Sequence, residues 1–241
     1  MGKHFSEDSR VKIPALMHLS RLGYQYLSTK EIRTQVHKST NIFPPSLLKA
    51  LNKLNEKHPA APLGDTDMNF ILSQLESLLL SDDLGEAFYH ALVRGLDYQG
   101  ELIYLADFQQ PDRNIFQMVT EMPCEKDGDS FRPDITLYLN GLPLAFVEVK
   151  IPDNKEGIQA ERRRMQKRHE NPKFRAFLNA AQVTVFSNNS EYDEREAIPL
   201  SGAFYSTDGN DFFAQIRCHS LHHRTKPPSW CPQASSLPPQ A

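Results

Sequence analysis

The sequence predicts an α/β protein, with one mixed sheet flanked by helices and a helical N-terminal region. Three observations support this fold class. Apolar residues recur every three or four positions through residues 1–100, which is the spacing of amphipathic helices. Between residues 101 and 216 the pattern changes to short alternating segments with charged segments of helical length among them. Asn140-Gly141 joins two alternating segments, a strong local sign of a β-hairpin.

Residues 1–100 are expected to form the helical N-terminal part of the domain. The first helix is expected between an N-cap at Ser6 and a stop at Gly23, and Pro14 requires either a kink or a later helix start. Pro44-Pro45 is expected to precede the second helix. The later helices are predicted at residues 46–56, 67–79 with Asp67 as the cap, and 85–96.

Residues 101–216 are expected to form the core with the sheet. Strands are predicted at residues 114–122, 132–140, 144–150, 182–186 and 198–205, and helices at 154–169 and 173–180. Residues 217–241 hold five of the 17 prolines and no acidic residue, so they predict a disordered tail.

Composition argues against several classes of function. Lys and Arg total 27 against 30 Asp and Glu, a net charge of -3, so any site for a polyanion must be local. No run of 18 apolar residues occurs and no signal peptide precedes the first helix, so neither membrane insertion nor secretion is expected. Three scattered cysteines give no disulfide framework, and a cytoplasmic location is the expectation.

The predicted hairpin sorts its side chains into two faces. One face is apolar, and Glu148 and Lys150 share the opposite face, which we expect to lie outside the core. The register decides the face of Asp134. A two-residue loop pairs position 134 with 147, whereas a three-residue loop or an equivalent bulge pairs 134 with 148. Because only the second register keeps the apolar face intact, we predict that Asp134 opposes Glu148.

Two opposed carboxylates repel each other unless a cation lies between them. Asp134, Glu148 and the main-chain carbonyl of Val149 offer the hard oxygen ligands that Mg²⁺ prefers. Lys150 could orient or deprotonate a metal-bound water, or stabilise negative charge on an attacked phosphate. These residues predict metal-assisted hydrolysis, and the alternative is a solvated strand face with an ordinary ion pair.

The segment after this hairpin is locally basic. Residues 155–175 contain eight basic and three acidic residues, a local charge of +5. Contact with backbone phosphates of DNA is one interpretation, and a solvent-facing helix laced with Glu161 and Glu170 is the other. The residues predicted to contact DNA are Arg162, Arg163, Arg164, Lys167 and Arg168.

Pro133-Asp134, thirteen residues and then Glu148-Val149-Lys150 match the PD-(D/E)xK nuclease motif. With Arg132 and Ile135 around the aspartate and the Asn-Gly-Leu-Pro hairpin, the segment resembles the N-terminal nuclease domain of the restriction (R) subunit of type I restriction-modification enzymes. The segments Leu22-Gly23-Tyr24 and Val185-Phe186-Ser187-Asn188-Asn189 are also similar to that family. The resemblance implies a restriction-endonuclease-like fold.

The resemblance also implies Mg²⁺-dependent cleavage of DNA, with Asp134, Glu148 and Lys150 in the catalytic places and methyltransferase and specificity subunits as partners. No G-x-x-x-x-G-K-[ST] loop occurs, so no bound ATP is expected and the chain looks like the nuclease portion without the translocase. Many relatives carry Gln-x-x-x-Tyr after the lysine. This chain does not, and Gln159, Gln166 or an arginine are the candidate replacements.

Two other functions stay open from sequence alone. The same fold could serve as a non-catalytic DNA-binding or assembly module of a restriction complex. It could also be a stand-alone nuclease that needs no ATP. The intact Asp134, Glu148 and Lys150 set favours an enzyme over the non-catalytic module.

Overall fold

The structure, a computed structural model, describes residues 11–150, 157–187 and 203–207. Side chains of residues 157–159, 162 and 203–207 are not described, and the expected cap at Ser6 and tail at 217–241 lie outside the described residues. The helices in these ranges are α1 (Ile13–Arg21), α2 (Thr29–Ile32), α3 (Pro44–Leu54), α4 (Asp65–Leu79), α5 (Glu86–Arg94), α6 (Gly157–His169) and α7 (Arg175–Ala180). None of them has the length and apolar character that a membrane crossing requires.

The strands of the same ranges are β1 (Gln25–Leu27), β2 (Leu96–Tyr98), β3 (Glu101–Ile103), β4 (Phe116–Thr120), β5 (Cys124–Lys126), β6 (Asp129–Phe131), β7 (Ile135–Leu139), β8 (Leu142–Val149), β9 (Val183–Ser187) and β10 (Ala203–Thr207). Six strands form one sheet in the order β1-β4-β7-β8-β9-β10. Its β1-β4 and β8-β9 pairs are parallel and the other pairs are antiparallel, so the sheet is mixed. The predicted fold class is confirmed.

The helix starts follow from local chemistry. Pro14 is the second residue of α1, in its first turn, where a helix needs no backbone donor. Pro44 and Pro45 lie inside the first turn of α3, not before it, because a helix needs no backbone donor there. Asp67 is the third residue of α4 and not its cap, but its carboxylate accepts a 2.7 Å hydrogen bond from the Gly64 N–H and so closes that helix start.

The N-terminal region is less helical than predicted. β1 pairs in parallel with β4 and forms one edge of the central sheet, and β2 pairs with β3 in a small separate hairpin. Neither β1 nor β2 was predicted. Each is three residues long, which is too short for an alternating pattern to stand out from helical spacing.

The hairpin of β7 and β8 shows how the register is set. Leu139 pairs with Leu142 around the two-residue loop Asn140-Gly141, so the predicted three-residue loop is wrong. The predicted alternative, a bulge, is right, because Leu137 pairs with Ala145 and leaves one extra residue in β8. Continued past Ile135 and Val147, this register brings position 134 opposite 148.

The hairpin loop is fixed against the N-terminal helices. Asn140 and Gly141 have φ angles of 53° and 79°, as the tight turn requires. A Cβ on Gly141 would lie 2.4 Å from the carbonyl oxygen of Phe43, so only glycine fits. The buried Asn140 side chain donates to the Leu105 carbonyl and accepts from the Ile115 N–H, which locks the turn.

Both faces of the central strands are covered. On one face α1 packs through the apolar cluster of Val11, Met118, Ile135, Val147 and Val149. The opposite face carries Phe146 and Glu148 and lies under α6 and α7, where Phe146 packs with Phe177 and Met165. The expectation that the Glu148 face lies outside the core is therefore wrong, since Glu148 is only 4% exposed. The reason is that α6 and α7 cover this face.

Candidate active site

Asp134 lies directly before β7 and reaches the end of β8. Its Oδ2 accepts a 2.8 Å hydrogen bond from the Val149 N–H, which fixes the carboxylate beside the Glu148-Val149 peptide. Its other oxygen, Oδ1, lies 3.6 Å from the Lys12 Nζ, and the same ammonium lies 2.5 Å from Glu121 Oε1. The structure thus brings Asp134 to Glu148, as the register argument predicted.

Glu148 is a buried carboxyl at the end of β8. Its Oε1 accepts a 3.2 Å hydrogen bond from the Arg168 Nη1. Burial, followed by the negative charges of Glu161 and Asp134, raises the pKa of Glu148 to about 8, while Arg168 and Lys150 act in the opposite direction. The negative charges near this carboxyl favour its protonated form, so added positive charge would favour its ionised form.

Lys150 follows β8 and is tied to the neighbouring strand, because its N–H donates to the Ser187 carbonyl at 2.8 Å. Its ammonium donates a 2.7 Å hydrogen bond to the Val149 carbonyl and lies 3.5 Å from Glu161 Oε2. Because β7 and β8 are antiparallel, the residue before β7 and those at the end of β8 share one end of the hairpin. Asp134, Glu148 and Lys150 are therefore neighbours in space.

Glu161 is a part of this cluster that the sequence did not predict, and a solvent-facing helix was one of the two interpretations of its segment. The residue is 1% exposed. Its Oε2 accepts a 2.7 Å hydrogen bond from Arg164 Nη1, and its Oε1 makes an ion pair of 3.3 Å with Arg168 Nη1. The one hint in the sequence is Met165, an apolar residue four positions later, which marks the inward face of α6.

Four of the five basic residues predicted to contact DNA have described side chains, and these lie in different environments on α6. Arg163, Arg164 and Lys167 are exposed, although Arg164 also bonds Glu161. Arg168 is turned inward at 20% side-chain exposure, with its guanidinium 4.6 Å from the centre of the Phe131 ring. The side chain of Arg162 lies outside the described part of the chain.

The residues at this site suit a hydrated divalent cation. Among the residues that the structure describes, no three His, Cys, Asp or Glu side chains converge as a ligand group. The oxygens that could hold such an ion are the carboxylates of Asp134 and Glu148 and the carbonyl of Val149, which are hard oxygens of the kind Mg²⁺ binds together with water. The Val149 carbonyl accepts one hydrogen bond from Lys150 and has a second lone pair.

Comparison with known proteins identifies the family. A family model described as the N terminus of the type I restriction enzyme R protein matches residues 4–193. Over 169 residues, which are 63% of this chain and 16% of the relative, the chain is 24% identical to a putative type I restriction enzyme MjaIXP endonuclease subunit of Methanocaldococcus jannaschii. Over 152 residues it is 26% identical to the type I restriction enzyme HindI endonuclease subunit of Haemophilus influenzae, covering 57% of this chain and 14% of that protein.

The chain thus spans about one sixth of the length of these relatives. The family match covers the hairpin, the cluster around Glu148 and all of α6. It confirms the resemblance that the motif around Asp134 indicated. The chain belongs to the family of the type I restriction enzyme R protein N terminus.

Proposed function

We propose that this chain is a Mg²⁺-dependent endonuclease domain that cleaves phosphodiester bonds of DNA, as the N-terminal part of a type I restriction endonuclease subunit. The observation that carries the proposal is the carboxylate of Asp134 held on the Val149 N–H, beside Glu148 and the Lys150 ammonium. Family membership supports the restriction system, and the geometry supports the chemistry.

Each side chain has a distinct task in this proposal. The Val149 N–H orients Asp134 by fixing its Oδ2, and Oδ1, which lies 3.6 Å from the Lys12 Nζ, is the oxygen that would bind a ligand. Glu148 and the Val149 carbonyl complete the protein ligands. Bound Mg²⁺ would supply a more acidic water and charge neutralisation at the attacked phosphate. Lys150 would orient that water or stabilise the negative charge that develops on the phosphate.

The DNA would lie against the exposed face of α6. Arg163, Arg164 and Lys167 project there, while the inward face of the same helix contacts the carboxylates. Such contacts to backbone phosphates position a duplex without reading its sequence. The proposal therefore assigns sequence recognition to specificity and methyltransferase subunits as partners, and it assigns no ATP binding to this chain.

A second candidate is a non-catalytic DNA-binding or assembly module, and one observation favours it. Both candidate metal-binding carboxylates already have internal cations close by, since Arg168 donates to Glu148 and Lys12 lies 3.6 Å from Asp134. A cluster with its own cations can persist as a structural element without binding metal.

A nicking assay separates the two functions. The full 241-residue chain and its Asp134→Ala variant would be incubated with supercoiled plasmid in Mg²⁺ or EDTA without ATP, while calorimetry follows Mg²⁺ binding. Asp112→Ala, which removes an exposed aspartate, is the matched control.

Nicking that needs Mg²⁺ and disappears only in Asp134→Ala is the expected result. Mg²⁺ binding that Asp134→Ala abolishes, without nicking, would support the metal site and make cleavage dependent on the rest of the complex. Neither binding nor nicking by the folded wild-type chain would overturn the enzyme and leave the assembly module.

A further inference from the structure

Glu161 is a buried carboxylate that the proposed chemistry does not use. Its side chain is 2% exposed, whereas Glu170, just past the end of the same helix, is exposed. Moving a carboxylate out of water is unfavourable unless cations and hydrogen bonds compensate. A helix that only had to cover the sheet would be more stable with an apolar residue at this position, as at Met165.

The partners of Glu161 are residues of the candidate site. Its Oε2 lies 3.5 Å from the Lys150 Nζ and bonds Arg164, and its Oε1 lies 3.3 Å from Arg168 Nη1. The Arg168 nitrogen also donates to Glu148 Oε1 at 3.2 Å. Negative and positive groups therefore alternate from Lys150 through Glu161 and Arg168 to Glu148.

The helix presents these groups together because of its period. Glu161, Met165 and Arg168 are separated by four and three residues, so they lie on one face of α6. Met165 is fully buried in the cluster with Phe146 and Phe177, which fixes the rotation of that face toward the sheet. Apolar packing at Met165 thus holds the Glu161 carboxylate over Lys150.

We propose that Glu161 is a positioning residue for Lys150, a role that rests on the proposed nuclease function. Its carboxylate anchors the ammonium of Lys150 at the Val149 carbonyl, on the same strand end as Asp134. It also shares Arg168 with Glu148, and so limits how strongly that guanidinium binds the Glu148 carboxylate. Glu161 itself touches neither metal nor DNA in this scheme.

Substitution of Glu161 has two predicted consequences. Lys150 loses its carboxylate anchor and keeps the Val149 carbonyl, so the ammonium becomes more mobile. Arg168 loses one of its two carboxylates and closes on Glu148. Glu161→Met removes every acceptor at nearly constant volume, whereas Glu161→Gln keeps one oxygen that accepts from Lys150. Glu170→Met, at an exposed position just past the same helix, is the matched control.

The first measurement is plasmid nicking by the full chain, with KM for the plasmid and the maximal rate determined at saturating Mg²⁺. Glu161→Met should lower the maximal rate about 10- to 100-fold, as loss of a group that orients an active-site residue typically does. KM should stay within about threefold, since Arg163 and Lys167 do not contact Glu161 and, of the described side chains on the proposed DNA-binding face, only Arg164 loses a bond to it. Glu161→Gln should retain most of the rate, and Glu170→Met all of it.

The second measurement needs neither metal nor activity. NMR relaxation of the Lys150 side-chain methylene next to the ammonium, in metal-free protein, should show a rigid group in wild type and in Glu161→Gln. It should show a mobile group in Glu161→Met, with the exposed Lys57 as the reference lysine. Melting temperatures of all variants check that they are folded at the temperature of the assays.

The two measurements separate failure of this inference from failure of the proposed function. A rigid Lys150 in folded Glu161→Met, or an unchanged maximal rate there, would overturn the positioning role. If Glu161→Met does not fold, the wild-type chain provides the test. A Lys150 side chain that is as mobile there as that of Lys57 would overturn the positioning role. If wild type does not nick DNA, the nuclease proposal is in question, and the Lys150 relaxation still decides whether Glu161 anchors that ammonium.

Discussion

At the end of the central sheet where the candidate site lies, one side of the sheet is covered by apolar packing and the other by ion pairs. Toward α1, strands β7 and β8 present Ile135, Val147 and Val149 to an apolar cluster. Toward α6, β8 presents Glu148, which lies between Val147 and Val149 and takes part in a network of ion pairs. Neighbouring residues of one strand thus serve an apolar interface and a charged interface.

The difference shows where stability and chemistry reside. Burial of apolar surface on the α1 side stabilises the fold by about 25 cal/mol per Å². On the α6 side, the buried carboxylates of Glu148 and Glu161 cost free energy, which Arg168 and Lys150 offset through close contacts. The charged side is therefore the one that we expect to be sensitive in activity and the apolar side the one sensitive in stability.

The largest expected effect is on the charged side. Lys150→Met keeps the length of the side chain and removes the ammonium that donates to the Val149 carbonyl. Loss of a group that stabilises developing charge should lower the Mg²⁺-dependent nicking rate by about 100- to 1,000-fold. Lys53→Met, at an exposed position of α3, should leave the rate unchanged in the same plasmid assay. A Lys150→Met chain that nicks at the wild-type rate would contradict the assigned role.

The apolar side should respond in stability instead. Met118 of β4 is 2% exposed in the α1 cluster, and Met118→Ala should lower the free energy of unfolding by about 2–5 kcal/mol. Met17→Ala removes an exposed methionine of α1 and should change it by less than about 0.5 kcal/mol. Urea unfolding measures both. If Met118→Ala abolished nicking by a folded chain, the two sides would not be separable in this way.

Much of the fold follows from local sequence. Asn140-Gly141 predicted the hairpin, and the need for one continuous apolar face predicted that Asp134 opposes Glu148. A longer loop and a bulge both restore this register, so the sequence left the choice between them open. β1 was not predicted, because its place in the sheet depends on pairing with β4, about 90 residues later, and not on its own three residues.

Strand alternation predicted the residues of the candidate site that lie on the hairpin. It could not predict those on α6, because their position depends on how the helix is rotated against the sheet. Asp134, Glu148 and Lys150 follow from two-residue periodicity on a hairpin. Arg168 was predicted to contact DNA and Glu161 was expected only on a solvent-facing helix, because the many charges of this segment make its inward face hard to recognise. The buried Met165 fixes the rotation of α6, and one apolar residue is a weak signal among so many charges.

A histidine at the end of α6 should make the stability of the chain sensitive to acid. Burial lowers the pKa of His169 to about 4 from an ordinary value of 6.5, so the neutral ring is the stable form in the folded chain. Because the pKa of His169 is lower in the folded chain than in the unfolded chain, its contribution to stability is fully present at a pH above about 6.5. That stability is lost as the pH falls from about 6.5 toward 4, because the unfolded chain binds the proton first. The loss should be on the order of 3 kcal/mol, at about 1.4 kcal/mol per pKa unit.

Urea unfolding at pH 7 and pH 4 measures this contribution. His169→Gln should remove the histidine part of the difference between the two pH values, with His18→Gln, at an exposed position of α1, as the control. An identical acid dependence in His169→Gln and wild type would show that another group is responsible.

The smallest expected effect concerns the outward face of α6. Arg163 and Lys167 are exposed and four residues apart, so they lie on one side of the helix away from Glu161. Their joint replacement by Gln should weaken DNA binding several-fold and lower the slope of log K against log salt by about 1 for each phosphate that is no longer neutralised. The maximal nicking rate should not change, because the ion pairs around Glu148 are intact. Fluorescence anisotropy of a labelled duplex over a salt series measures the slope, with exposed Lys57→Gln as the matched control. An unchanged slope would place the DNA on another surface and would leave the inward face of α6 as the functional one.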